Sequence, residues 1–319
     1  MKVMTVQGPV AADTIGYALP HEHLLCDVTR PFWMPVDKER MGSDFYFEDE
    51  EVVLDNETVA IEELLYFKRA GGSMLVELTP ICLSRNPQGL KRISEATGVH
   101  VVMGTGFYFD LHHSARVQTN NANELATEMV RDLTVGVEDT GIRAGIIGEI
   151  GSSRDYITPG EERVFRAAAR AQLKTGAAVT THAVHGKIGL AQLDLLEEEG
   201  VDLRRVIIGH CDLHRHLDYH LAIAKRGATV EFDLVNSIPR QIYAHPKRAE
   251  LVRDLIQLGY LRQILLSQDI CHRAHLHTHG GGGYDYMINH FVPLLKDLGV
   301  SQEEIDIIMI ENPRRILEF

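Results

Sequence analysis

Cysteine is scarce in this 319-residue chain, and its spacing builds nothing. Cys26, Cys82, Cys211 and Cys271 form no CxxC and no close set, which excludes a disulfide framework and points to reduced, buried or loop thiols. No apolar run reaches the ~18 residues that a membrane span requires, so no membrane partner is expected. The first residues hold no long apolar core ahead of Gly8 and Pro9; the expectation is no signal peptide and a cytoplasmic location. Internal repeats, low-complexity tracts and Pro/Ser-rich linkers are also missing. Positive charge is in deficit: 32 Lys and Arg against 45 Asp and Glu leave a net charge of −13. That balance argues against nucleic acid or an anionic surface as partner and leaves a small-molecule substrate as the expectation. No GxGxxG follows the first candidate strand, which weakens a dinucleotide-binding reading.

What is present is ordinary for a globular enzyme. Hydrophobic residues make up 45% and charged residues 24%, which rules out a disordered or collagen-like chain. At about 150 residues per domain the length suggests two, yet single α/β barrels of about 250 residues are common. Eight short apolar runs recur, at 16–20, 73–79, 99–106, 144–151, 177–183, 206–212, 228–234 and 264–270. Bounded by glycines, they read as buried parallel strands. Between them, 58–70, 122–137, 160–174, 187–199, 214–226 and 246–258 carry helical periodicity. Eight strands alternating with helices predict a (β/α)8 TIM barrel, one domain over 1–319; an open doubly wound sheet is the alternative.

The 17 histidines are the one unusual count, and they invite a search for metal ligands. Barrel active sites form at the C-terminal ends of the strands. The first strand ends in His21-Glu22-His23, and residues two apart on a strand share a face. Glu149 ends the fourth, His182 the fifth, His210 the sixth and Asp269 the eighth. A lone histidine at a strand end is more often a hydrogen-bonded structural group, and Glu149 or Asp269 could cap helices or pair with cations. Convergence of six nitrogen and oxygen donors on one rim favours metal instead. Six donors exceed the needs of one tetrahedral ion and suit two divalent ions about 3.5–4 Å apart. Zinc is the expected metal, with manganese or cobalt as alternatives. The net positive site would polarise a carbonyl or phosphoryl oxygen, so hydrolysis is expected rather than redox chemistry.

These residues resemble the phosphotriesterase family of the amidohydrolase superfamily along nearly the whole chain. The matching stretches are TVQGPV at 5–10, PHEHLLCD at 20–27, GTGFY at 104–108, GEIGSS at 148–153 and TTHAVHG at 180–186. They continue with IGHCD at 208–212, EFD at 231–233, LLSQDICHR at 265–273 and NPRRIL at 312–317. The resemblance implies a distorted TIM barrel with a binuclear centre. The more buried ion would be held by His21, His23 and Asp269, the more exposed one by His182 and His210, with Glu149 bridging them. Many members carry a carboxylated lysine at the bridge; this chain resembles the branch with glutamate, which delivers the same charge. Frequent homodimers in the family make a homodimer the expected assembly.

The expected mechanism is attack by a hydroxide bridging the ions, with Asp269 taking its proton. The lactonase members carry a tyrosine in the GTGxY position over the metal pair, which would make Tyr108 a substrate contact; packing as a rim aromatic is the alternative. On Tyr108 rests the preference for a lactone or carboxylic ester, with a phosphoester, phosphotriester or N-acyl amide as alternatives. A non-catalytic ligand-binding barrel is the alternative of another class. Arg273 could meet an anionic substrate group or pair with an acidic neighbour. The aromatic stretch 30–49 would shape the pocket or a subunit contact, and the His/Gly-rich stretch 271–286 a mobile loop over it. His185, His214, His216 and His220 read as surface residues.

Overall fold

The computed structural model of the protein describes residues 1–29 and 52–319, so the first-loop stretch 30–49 lies outside the described residues. A hairpin of β1 (Lys2–Thr5) and β2 (Gly8–Ala11) opens the chain, followed by β3 (Tyr17–Glu22). A two-stranded antiparallel ribbon joins β4 (Cys26–Asp27) to β5 (Val53–Leu54). The remaining strands are β6 (Gly72–Glu77), β7 (His100–Thr105), β8 (Ile146–Gly151), β9 (Val179–His182), β10 (Val206–Ile208), β11 (Thr229–Phe232) and β12 (Ile264–Leu266). Strands β3 and β6 to β12 pair in parallel and in sequence order, with helices between them: the eight expected strands of a (β/α)8 barrel.

The flanking strands β3 and β12 meet through the Ser267 side chain and a backbone bond just past β12. Ser267 Oγ accepts from the His21 N–H (3.0 Å) and contacts the His21 carbonyl (2.8 Å), and the Asp269 N–H donates to the same carbonyl at 3.2 Å.

The helices follow from local chemistry. Asn56 caps Glu57–Arg69, its side chain accepting from the N–H groups of Thr58 and Val59. Thr158 and Glu161 form a capping box on Pro159–Thr175, with proline in the first turn. Glu161 also accepts from the N–H groups of Asp110 and Ser153, which ties the loops after β7 and β8 to that helix. The helix Pro87–Thr97 lies outside the expected set, although Asn86-Pro87 and Gly98 bracket it with start and stop signals.

Two apolar layers form. An inner cluster fills the barrel with Ala18, Val76, Val102, Ile146, Ala178 and Leu265, and a larger outer one packs Leu19, Leu75, Val101, Ile147, Val179 and Leu266 under the helices. Fully burying each Val, Leu or Ile among them contributes about 1.5–3 kcal/mol. Strict alternation would send His21 outward with Leu19, and Glu149 outward with Ile147. The ladder shifts register between Leu19 and Glu22 in β3 and between Ile147 and Ile150 in β8, which reverses both.

Candidate metal centre

His21, His23, Glu149, His182, His210 and Asp269 converge at the C-terminal mouth of the barrel. Glu149 Oε2 is central, 3.1 Å from His182 Nδ1, 3.1 Å from His210 Nε2 and 3.4 Å from His21 Nε2. Asp269 Oδ1 lies 3.2 Å from His23 Nε2 and 3.8 Å from His21 Nε2. His210 and Asp269 both adopt left-handed backbone (φ 56° and 49°), a conformation in which His and Asp are enriched. It turns their side chains over the mouth just past β10 and β12. The donor atoms of His21, His23 and Glu149, of His21, His210 and Asp269, and of Glu149, His182 and His210 fall within 4.8 Å of one another in each group.

A second layer of buried polar groups orients the rings. His21 Nδ1 faces Glu231 Oε2 and Asp233 Oδ2, both at 3.1 Å, and His210 Nδ1 donates to Asp233 Oδ1 at 2.9 Å. The His210 N–H donates to the same carboxylate. His23 Nδ1 donates to Thr79 Oγ1 (2.9 Å), whose hydroxyl donates to Glu77 Oε1 (2.5 Å). With Nδ1 engaged outward, all three turn Nε2 inward, the nitrogen a metal ligand would use. His182 is the exception and presents Nδ1.

The donor set fits divalent cations. His21 Nε2 is fully buried and has no hydrogen-bond partner, although two carboxylates face it. A buried polar atom left unmatched is costly, and a cation shared among imidazoles and carboxylates removes that cost. The field points the same way. Burial alone would lower the His21 pKa, but Glu149 and Asp233 hold it well above the usual range. Burial is likewise overcome at His210, chiefly by Asp233. Burial would raise Glu149, yet His182 and His21 keep it well below the usual carboxylate range. At Asp269 burial is outweighed by the His23 contact, leaving a pKa of about 2. Burial carries Glu231 up to about 7, only partly opposed by His21.

Tyr108 reaches this cluster. Its hydroxyl lies 3.1 Å from His182 Nδ1, and its ring packs against Phe109 at 4.0 Å between centroids. Burial raises its pKa well above 10, so the hydroxyl stays protonated. Arg273 is not brought in: its guanidinium donates to the Val53 carbonyl at 2.8 Å and pairs with Asp55 at 3.3 Å. The loop after β12 is pinned rather than free-standing. Glu63 accepts from the N–H groups of His277 and Thr278, Ser237 from that of Gly282, and His277 Nε2 pairs with Asp285 at 2.6 Å.

One expectation needs correcting. His220 is fully buried, stacked on Phe232 with Nε2 donating to the Cys211 carbonyl, because its helix turns that face inward. Glu231, Asp233, Thr79, Glu77 and Glu22 are the functional-site neighbours that reading strand ends misses. The alternating acids of Glu231-Phe232-Asp233 at the end of a buried strand were the available signal: acids two apart share a face, and a buried face tolerates them only when partnered.

An eight-stranded parallel barrel with a histidine–carboxylate cluster at its C-terminal mouth is the architecture of a metal-dependent hydrolase. The chain belongs to the phosphotriesterase family, whose sequence profile matches residues 1–317. It is 38% identical over 306 residues to the phosphotriesterase homology protein of Escherichia coli, covering 96% of this chain and 99% of that protein. The crystal structure of that protein, with phosphate in its active site, superposes with a TM-score of 0.85 over 95% of this chain and 99% of that one. Human N-acetyltaurine hydrolase is 34% identical over 344 residues, spanning 100% of this chain and 98% of that protein. A resiniferatoxin-binding protein from Rhodobacter sphaeroides has a TM-score of 0.90 at 32% identity, covering 99% of this chain and 95% of its own. No described helix is long and apolar enough to cross a membrane.

Proposed function

We propose that this chain is a binuclear metal-dependent hydrolase of a carboxylic acyl bond, a lactone or carboxylic ester. The observation that carries the proposal is the convergence of six donors around a buried His21 Nε2 that has no hydrogen-bond partner. His21, His23 and Asp269 would hold one ion, His182 and His210 the other, with Glu149 between them. When bound, such ions supply a water acidic enough to attack at neutral pH and a Lewis acid for the carbonyl oxygen. Asp269 takes the proton of the attacking water on its carboxylate as the new C–O bond forms, and returns it to the departing alkoxide. The Tyr108 hydroxyl, a protonated donor beside His182, orients the acyl group. The preference for an ester oxygen over other leaving groups rests on that tyrosine. Zinc is the proposed metal, and a homodimer the proposed assembly.

A second reading, hydrolysis of an N-acyl amide, is favoured by the full-length similarity to a protein named for N-acetyltaurine hydrolysis. The same groups serve both reactions, because each proceeds by attack at a carbonyl carbon and protonation of a leaving atom.

The test is elemental analysis of protein purified without chelators or a histidine tag, followed by a proton-release screen across lactones, esters, phosphoesters and N-acyl amides. Close to two divalent ions per chain, falling in Glu149→Ala and His182→Ala, with turnover of a lactone or ester, is the expected result. Well under one ion per chain, with no gain on adding zinc, manganese or cobalt, overturns the metal reading. Turnover of amides alone selects the second reading.

A further inference from the structure

We propose that Glu22, the middle residue of the His-Glu-His run, is the positioning residue for Asp269. The inference rests on the metal reading above and extends it to a side chain that donates nothing to the cluster. Glu22 is fully buried and lies on the strand between two candidate ligands, on the face opposite to theirs. Its Oε1 accepts from Ser267 Oγ at 2.7 Å and from the Gln268 N–H at 2.8 Å; its Oε2 accepts from the Ile270 N–H at 2.9 Å. The two backbone donors flank Asp269, whose own N–H is tied to the His21 carbonyl. One carboxylate thus holds the N–H groups of the residues on either side of Asp269, whose side chain must face His21 and His23.

The need for a clamp is physical. Asp269 lies beyond the end of β12, in left-handed backbone, where its own N–H bond to the His21 carbonyl is the tie to β3 and the regular ladder has ended. The β3–β12 seam is also where ladder pairing gives way to the Ser267 side chain and the Asp269–His21 backbone bond. A buried carboxylate is tolerated only when its lone pairs are met, and here three donors meet them. A glutamine in its place keeps the shape but turns an NH2 group toward N–H or O–H donors. An aspartate keeps the carboxyl but falls one methylene short. Neither holds both sides of Asp269. Through Asp269, Glu22 would set the geometry of the ion held by His21, His23 and Asp269 while touching neither ion nor substrate.

Wild type and Glu22→Gln, both full length, are titrated with zinc against a chromophoric chelator, and kcat and KM are measured on a substrate found in the screen. The expected result is a 10- to 100-fold weaker affinity for one of two ions, roughly the effect of disturbing groups that orient metal ligands. At saturating zinc, kcat falls while KM stays within about twofold. If Glu22→Gln does not fold, Glu22→Asp is measured in its place and should weaken the same ion. Wild-type ion affinity and kcat in the variant, even with a lower melting temperature, overturn the proposal and leave Glu22 a staple of the seam. A wild-type chain that takes up no zinc overturns the metal reading and this proposal together; normal wild-type loading with an unperturbed variant overturns only the proposal.

Discussion

At the scale of single residues, the site couples each donor to a partner that removes its freedom. Asp233 is the most connected of these: it meets the Nδ1 atoms of both His21 and His210, one candidate ligand from each of the two proposed ion sites. Asp269 differs, since its carboxylate has the chemistry to move a proton as well as to bind. Asp269→Asn keeps a ligand oxygen and loses the base. The expected outcome is a kcat lower by about 10²–10⁴ with close to wild-type metal content. Steady-state kinetics paired with elemental analysis checks it, and near-normal turnover would remove Asp269 from the proton path. All six candidate ligands were legible from strand ends alone. Their partners were not, because a second layer is defined by adjacency between strands far apart in sequence, as Glu231 and Asp233 are from His21.

At the scale of elements, the informative features are the departures from regular strand. Gly148 sits inside the β8 register shift with φ 129°, and a Cβ there would lie 2.4 Å from the Thr180 carbonyl oxygen. Gly148→Ala should therefore force β8 off β9 and swing Glu149 from the cluster. A loss of about 3 kcal/mol or more, with metal content falling toward one ion or fewer, is the expected outcome. Gly8→Ala is the control. Its φ is also positive (109°), but a Cβ there meets nothing, so it should cost only about 1–2 kcal/mol and leave metal content unchanged. Denaturant midpoints and elemental analysis on the pair separate local strain from damage to the site. Element type was largely readable from periodicity and glycine punctuation. Element direction was not: alternation counted from Leu19 or Ile147 sends His21 and Glu149 outward, and the slipped ladder brings them in.

At the scale of the whole molecule, stability carries a pH dependence from a buried histidine outside the candidate ligand set. His245 is buried near the Tyr286 and Phe291 rings with Arg248 close by, and burial first, then Arg248, lowers its pKa from 6.5 to about 4. The unfolded chain therefore takes up a proton below about pH 6.5 that the folded chain refuses until about pH 4. Stability from this group is complete above pH 6.5 and is lost as pH falls through that window. His245→Gln should flatten the fall in urea midpoint between pH 6.5 and 4.5 relative to wild type, by about 1–2 kcal/mol. Identical slopes in the two proteins would show that His245 titrates normally.

The alternation of strand and helix, the helix caps and the chemical identity of the six donors are local properties, carried by composition and spacing, and they could be read from the chain alone. Which face His21 and Glu149 present, which acids stand behind the histidines, and that His220 is buried depend on how distant segments register against one another. Hydrogen-bond pairing and burial are properties of neighbours in space, and a single ladder slip reverses every side chain beyond it.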